Sequence, residues 1–351
     1  MKAEEVQDAG RGTAPVIFIT GNSRSGTTLM MRVMNNHEEV HAINEPHFFE
    51  KLWSPADAGK VITEAEAVQL AEKLFTGQRD GFFERPEVHG HKYAEEIRRL
   101  LGTPYRPLSR MALYKAFMQY EALVNGKTRP CEKTPQNVFY IGEILTHFPE
   151  ARVINMLRDP RGVLLSQKKK WKRRSLGANF ITPREVLRLR VNYHPLTMSK
   201  LWNASYRAAE QYADHPRVMT VKFENMLRDP EEELRRICAF IGLPYMQCML
   251  DVPHAGSSTE ADDRSKKGIK SGRAEKTWTE RGLNLTEIHL CQKICGECMR
   301  SAGYELLPVK PDPIKLAYYL AAFPVKLGLA LLFNLNRMRS VGDTLKRRLK
   351  P

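Results

Sequence analysis

The 351-residue sequence is poor in cysteine, with six in all, too few to act as a disulfide scaffold. It also lacks a leading apolar segment. Met1 to Gly12 is polar and mixed in charge, without the hydrophobic stretch of a secretory signal, so the expected compartment is the cytoplasm. There the two sequons, Asn203-Ala-Ser205 and Asn284-Leu-Thr286, have no meaning as glycosylation sites. Acidic residues are in short supply: 40 Asp and Glu face 55 Lys and Arg, a net charge of +15. Such a surplus calls for anionic company, whether nucleotide, nucleic acid, acidic glycan or anionic membrane. No internal repeat is present, and 42% hydrophobic with 27% charged residues excludes wholesale disorder and a collagen-like chain.

Order begins at Pro15-Val-Ile-Phe-Ile-Thr20, an apolar run that reads as a strand and ends in the turn Gly21-Asn-Ser-Arg-Ser-Gly26. Leu29, Met30, Val33 and Met34 fall at helical spacing, so a helix starts near Thr27 or Thr28. A second strand, Val40 to Ile43, leads into Asn44-Glu45-Pro46, and residues 53–125 read as helix-rich. The alternation resumes with a strand at Arg152–Leu157 followed by a helix from Arg161, and another strand spans Arg217–Phe223. Asp229-Pro230 then starts a helix with Asp at the cap and acids in its first turn; Leu234, Ile237, Phe240 and Ile241 form its buried stripe. His254 to Lys276 is polar and basic, the composition of a mobile loop. This order predicts an α/β, P-loop-type three-layer fold: a central, mostly parallel sheet flanked by helices. The expected division is a polar tail over 1–14, the α/β domain over 15–309 and a helical appendage over 310–351.

That appendage differs in kind. Leu316 to Leu335 is almost wholly apolar, interrupted by Pro324 and Lys326, and Arg337, Arg339, Lys346, Arg347 and Arg348 follow. It is long enough to span a bilayer. Pro and Lys near its middle favour a helix lying on the membrane surface; packing on the domain and a spanning anchor are the alternatives.

Gly21 and Gly26, five apart between a strand and a helix, have the spacing of a nucleotide phosphate loop. Glycines admit close backbone approach, and the helix N-terminus favours an anion. A nucleoside triphosphatase needs Lys at position 27; Thr27 stands there, and Arg24 is the only cation within the loop. An anion other than magnesium ATP is therefore expected, and a kinase reading is disfavoured.

Gly21-Asn-Ser-Arg-Ser-Gly-Thr-Thr28 resembles the 5′-phosphosulfate loop of sulfotransferases that use PAPS, 3′-phosphoadenosine 5′-phosphosulfate. Arg158-Asp-Pro-Arg-Gly-Val-Leu-Leu-Ser166 is similar to the same family's 3′-phosphate motif, in which the Arg and the Ser hold that phosphate. Ile43-Asn-Glu45-Pro46 and Cys131-Glu-Lys133-Thr-Pro135 resemble segments of the carbohydrate and tyrosyl-protein members, and Phe223 to Pro244 follows the family's strand, turn and helix. Trp278 and the run Cys295 to Tyr304 resemble the carboxy end of the carbohydrate-modifying members. The resemblance covers about Pro15 to Leu307. It implies PAPS as co-substrate, PAP as product, no metal, and an acceptor hydroxyl on a glycan or glycolipid, with tyrosyl-protein or small-alcohol acceptors as variants.

The implied cofactor residues are Ser23, Arg24, Ser25, Gly26, Thr27, Thr28, Arg158 and Ser166. Sulfuryl transfer shifts an electron-poor group between two oxygens, so positioning and charge stabilisation dominate. Glu45 is the candidate base, at the end of a strand beside the loop, with Glu132 and Glu50 as weaker rivals. Lys133 and Arg24 are the candidates to stabilise the bridging oxygen and the sulfuryl group. Lys168-Lys-Lys-Trp-Lys-Arg-Arg174 is either a solvated face or a steering patch for the anions. Trp202 is expected in the core, and the resemblance places it near the cofactor.

Two patterns mislead. His37-Glu-Glu-Val-His41 has zinc-protease spacing, but it begins where the first helix should end and runs into a strand. Cys291, Cys295 and Cys298 have iron–sulfur spacing, but on a helix they form a buried stripe. The reading from a different class is a non-catalytic basic P-loop protein that binds nucleic acid or anionic membrane; it leaves Arg158 and Ser166 unexplained.

Overall fold

The computed structural model describes residues 15–81, 92–178, 181–258, 261–269, 278–280, 282–335 and 342. Five strands form the central sheet: β1 Ile17–Gly21, β2 Val40–Asn44, β3 Arg129–Lys133, β4 Arg152–Leu157 and β5 Val218–Lys222. Their order is β2-β3-β1-β4-β5, and every neighbouring pair is parallel. Among the described residues, twelve α-helices pack around it. On the amino-terminal side of the chain these are α1 Thr27–Asn35, α2 Glu64–Thr76, α3 Ala94–Leu101, α4 Arg110–Val124, α5 Ile141–His147 and α6 Pro160–Lys168. The remainder are α7 Pro183–Asn192, α8 Pro195–Glu210, α9 Phe223–Arg228, α10 Pro230–Ile241, α11 Leu285–Ser301 and α12 Pro313–Leu332.

A parallel sheet covered on both faces needs strands that are apolar throughout, and all five residues of β1 are buried. Their side chains alternate between two cores. Phe18 joins Phe49, Tyr114, Phe117 and Ile144 on one face, whereas Ile17 and Ile19 pack with Met30, Val33, Ile154, Val221 and Ile237 on the other. A third cluster gathers Leu157, Val163, Trp202 and Ile288 around Cys291, Cys295 and Cys298, so the three cysteines are the inner stripe of α11.

β3 was not legible as a strand. Its sequence, Arg-Pro-Cys-Glu-Lys, is polar, yet it inserts between β1 and β2. Glu45 is consequently two strands from the glycine loop rather than beside it, and Lys133 stands between. The α10 stripe also differs: Cys238 takes a buried place, while Phe240 is half-buried beneath the Arg152 guanidinium, 5.9 Å from its ring. The 254–276 stretch is not a plain loop, because Pro253–His254 pairs antiparallel with Asp263–Lys267; residues 259–260 and 270–277 lie outside the described residues, as do 1–14 and the basic tail positions Arg337, Arg339, Lys346, Arg347 and Arg348.

α12 continues through Pro324 without a break. Asp312 caps it, accepting from the Ile314 and Lys315 amides, and His194 Nε2 lies 3.0 Å from the Tyr319 carbonyl oxygen. One face therefore docks on the domain.

Gly21 fixes how closely the glycine loop can leave β1. Its φ is +135°, and a Cβ there would lie 2.4 Å from the Met156 carbonyl oxygen of β4. Gly21→Ala is expected to cost about 2 kcal/mol or more, read as a lowered midpoint in chemical denaturation.

Candidate active site

The loop from Gly21 to Gly26 turns on two left-handed residues, Arg24 at φ 76° and Gly26 at φ 96°. Ser25 N donates to Asn22 O at 3.1 Å, which closes the turn. Gly26 is the N-cap of α1, and no side chain caps the helix, so its leading amides face the loop interior without an internal partner. A Cβ at Gly26 would meet the Phe223 ring at 2.4 Å. The Ser25 hydroxyl is buried with no hydrogen-bond partner among the described residues. A buried hydroxyl beside an uncapped helix start suits an anion.

The end of β4 brings a second set of groups to this loop. Asp159 caps α6 and grips Arg161 at 2.6 Å, while Arg161 lies over the Trp278 ring at 4.1 Å. Arg158 points elsewhere. Its Nη1 donates to the Arg24 carbonyl oxygen at 3.1 Å, and its guanidinium stacks on Phe223 at 4.3 Å. Gly162 leaves room for it, since a Cβ there would lie 2.9 Å from Arg158 Nε. Trp202 is buried and donates its indole N–H to the Arg158 carbonyl oxygen at 2.8 Å, fixing the strand end from the core.

Arg24 completes the cluster. Nε donates to Ser166 Oγ at 2.9 Å, and Nη2 donates to the Gly256 carbonyl oxygen at 2.9 Å and Ser258 Oγ at 2.8 Å. All three acceptors are neutral. Burial lowers its pKa to about 10, aided by the Arg158 and Arg173 charges. The structure thus directs Arg24 towards Ser166, and none of its hydrogen bonds goes to the Glu45–Lys133 pair.

That pair forms the other half of the site. Glu45 and His47 have φ of 51° and 50°, flanking Pro46, and Glu45 N donates to the Lys133 carbonyl oxygen at 2.9 Å. This strained turn is held by β3 and aims the Glu45 carboxylate at Lys133. Lys133 Nζ lies 2.5 Å from Glu45 Oε1, and the lysine is almost wholly buried. His47 Nε2 is 3.6 Å from Glu45 Oε2, and its Nδ1 is 3.1 Å from Glu50 Oε2. Burial opposes charge on both groups. The nearby His47 imidazole and the Lys133 ammonium nevertheless hold Glu45 well below the usual carboxylate range. Likewise burial lowers His47, but its two carboxylate partners raise it to about 9. Glu132 is different: fully buried, it accepts from Thr134 and, at 2.7 Å, from Asn137, and burial pushes it up to about 7. Both its oxygens are engaged inside the fold, so it is no rival to Glu45.

The basic run after α6 is not one solvated face. Lys168 donates to Glu287 at 2.7 Å, Arg173 to Asp262 at 2.8 Å, and Arg174 to the Ile181 carbonyl oxygen at 2.9 Å. Lys170 alone turns into a cleft of about 270 Å³ whose rim includes Gly21, Asn22 and Ser23. His37 and His41 lie on separate elements: His37 Nε2 is 3.0 Å from the Pro244 carbonyl oxygen, and His41 is within β2.

The sulfotransferase family model matches residues 15–247, well over half of the chain. The chain belongs to the sulfotransferase family. It is 24% identical over 314 residues to the nodulation protein NoeE of Sinorhizobium fredii, covering 83% of this chain and 66% of that protein. Human carbohydrate sulfotransferase 3 is 28% identical over 173 residues, 45% of this chain and 34% of that one. A Drosophila melanogaster protein-tyrosine sulfotransferase is 23% identical over 239 residues, 67% and 40% respectively. The chain thus spans less than two thirds of each of these relatives. Among solved structures, the sulfotransferase domain from the curacin biosynthetic pathway aligns over 84% of this chain and 99% of its own, with a TM-score of 0.49 and 17% identity.

The sequence alone did not single out His47, Ser258 or Asp262. His47 carried one available signal, its position two residues after Glu45; Ser258 and Asp262 carried none, because their role comes from the hairpin that folds them onto Arg24 and Arg173.

His47 gives the site a pH signature. Its pKa is raised on folding, so the stabilisation is complete below about pH 6.5 and disappears as pH rises through about 9. The stability gap between wild type and His47→Gln should therefore shrink over that window. With solvent screening on the half-exposed Glu45, the change is roughly 1–3 kcal/mol, measured by urea denaturation at several pH values.

Proposed function

We propose that this sulfotransferase carries the sulfuryl group of PAPS to a hydroxyl of a carbohydrate or glycolipid. The convergence of Arg24, Arg158 and Ser166 beside the uncapped start of α1 carries this reading: two guanidinium groups meet where every Arg24 acceptor is neutral. The residues fit a doubly anionic nucleotide. Ser23 to Thr28 would hold the 5′-phosphosulfate, with the unpartnered Ser25 hydroxyl and the α1 amides as donors. Arg158 and Ser166 would hold the 3′-phosphate, and Arg24 bridges the two groups. PAPS supplies an activated sulfuryl group and a phosphate leaving oxygen.

The chain's own part is proton and charge handling. Lys133 moves from Glu45 to the charge that builds on the bridging oxygen. One Glu45 oxygen is then free to take the proton of the acceptor hydroxyl, while His47 holds the other. A tyrosyl-protein acceptor is the second reading, favoured by the wider alignment with the Drosophila protein.

α12 supports a place at a membrane surface. Tyr319, Phe323, Ala330 and Asn334 form its docked side. On the opposite side Ile314, Tyr318, Val325 and Leu332 are all more than 60% exposed. An outward helix face is ordinarily polar; an apolar one beside basic residues fits anionic lipid.

Three outcomes test the reading. Calorimetry should show micromolar or tighter binding of PAP and much weaker binding of 5′-AMP, and Arg158→Ala should weaken PAP roughly ten- to a hundredfold; equal affinity for both nucleotides sinks the assignment. Glu45→Gln should lower sulfate transfer from labelled PAPS roughly 10²- to 10⁴-fold with PAP affinity near normal. Ile314→Glu combined with Val325→Glu should reduce cosedimentation with phosphatidylglycerol–phosphatidylcholine vesicles about tenfold or more, with unchanged circular dichroism.

A further inference from the structure

The cleft beside the loop has a chemistry of its own. Its walls come from the rim of the glycine loop, Glu50, the turn carrying Gln136 and Phe139, α6 and the turn after it, α7 with α8, and Asn334 just beyond α12. Val163, Leu189, Met198 and Leu201 make part of the lining apolar, enough to hold the carbon skeleton of an acceptor. Its other charged groups are engaged already: His47 Nδ1 lies 3.1 Å from Glu50 Oε2. Arg188 holds Glu185 with Nε at 2.8 Å and gives Nη1 to Asn334 Oδ1 at 2.6 Å. Asn334 Nδ2 in turn donates to Asn192 Oδ1 at 2.7 Å.

Among the charged groups of the cleft, Lys170 is the exception. Half-buried, it has no hydrogen bond or ion pair among the described residues, although Lys168 and Arg173 on either side each find a carboxylate. Burial lowers its pKa to about 8, and the Arg24 charge adds to the effect; Glu45 and Glu185 act in the opposite sense, but neither forms an ion pair with it. An ammonium taken partly out of water beside another cation is unfavourable unless an anion joins it. The co-substrate's phosphates already have Ser25, Arg24, Arg158 and Ser166. Lys170 faces instead the space between the loop and α7, where an acceptor must approach.

We infer that Lys170 binds an anionic group of the acceptor, so that the substrate carries a phosphate or comparable acid next to the hydroxyl that is sulfated. This rests on the sulfotransferase reading of the same site and narrows its substrate class. Lys170 acts on affinity and selection, not on bond making. The anion has two possible sources with one chemistry, a free phosphate ester or the headgroup of an anionic lipid; Asn334 places the cleft mouth next to α12, whose outer face is apolar.

The test uses the full chain saturated with PAPS, so that the loop and the 3′-phosphate site are filled. Calorimetric titration compares inositol 1-phosphate with inositol, and vesicles of phosphatidylinositol in phosphatidylcholine with plain phosphatidylcholine. The phosphate-bearing member of at least one pair should bind tenfold or more tightly, and Lys170→Met should remove that preference. PAP affinity of Lys170→Met should stay within twofold of wild type. Preference in the soluble pair identifies a free ester, and preference confined to vesicles identifies a lipid headgroup. Equal binding of both members in both pairs overturns the inference, as does a preference that survives Lys170→Met. A tenfold loss of PAP affinity in Lys170→Met also overturns it, by assigning the lysine to the co-substrate. Failure of the wild-type chain to bind PAP is a separate result and strikes the sulfotransferase reading itself.

Discussion

Repulsion among buried cations organises this site. Arg24, Arg158, Arg173 and Lys170 crowd around one loop, and burial, with their mutual repulsion adding to it, lowers Arg24 to about 10 and Lys170 to about 8. Cations do not gather in a folded protein without something that offsets the cost. Part of the offset is visible. Phe223 stacks under Arg158, Asp262 neutralises Arg173, and carbonyl and hydroxyl oxygens of residues 256–258 take the Arg24 hydrogens. On the function proposed above, what these groups leave uncompensated around Arg24 and Arg158 would be met by a polyanionic nucleotide, and Lys170 is left for an anion of the acceptor.

The surrounding fold serves this arrangement. Parallel strands bring their carboxyl ends to one edge, and β1, at the centre, delivers the glycine loop there. β4 delivers Arg158 on one side of β1 and β3 delivers Lys133 on the other. The same edge therefore offers both a cradle of cations and, two strands away, a carboxylate held ionised by Lys133 and His47. Separation matters here, because a base placed among the arginines would be neutralised by them. Glu45 instead answers to one lysine that an arriving anion can draw away.

Much of this was legible because local sequence and local physics agree. The apolar run of β1, the helical spacing of Met30 and Val33, and the Asp229-Pro230 start of α10 each determine their element through short-range preferences. Gly21 and Gly26 are legible for a sharper reason, since at both positions a Cβ would strike another element. β3 was opaque because its residues are polar and its stability comes from neighbours on both sides. The hairpin over 253–267 was opaque for the same reason: its anchors, Arg24, Arg32 and Arg173, are distant in the chain.

By itself, the sequence determined an α/β chain with a glycine loop suited to an anion and a separate apolar tail, and it carried a nine-residue stretch, Arg158 to Ser166, that resembles a phosphate motif. The loop and the tail follow from periodicity, glycine placement and charge, all readable within a few residues, whereas the role of Arg158 and Ser166 is what the family resemblance implies. Only the tertiary structure decided that Lys133 rather than Arg24 faces Glu45, that His47 holds the carboxylate's other side, and that Lys170 alone of its basic run enters the cleft. A side chain's charge is a local fact. Its partner is set by strand order and helix docking, which bring together residues up to 234 positions apart, the separation of Arg24 from Ser258.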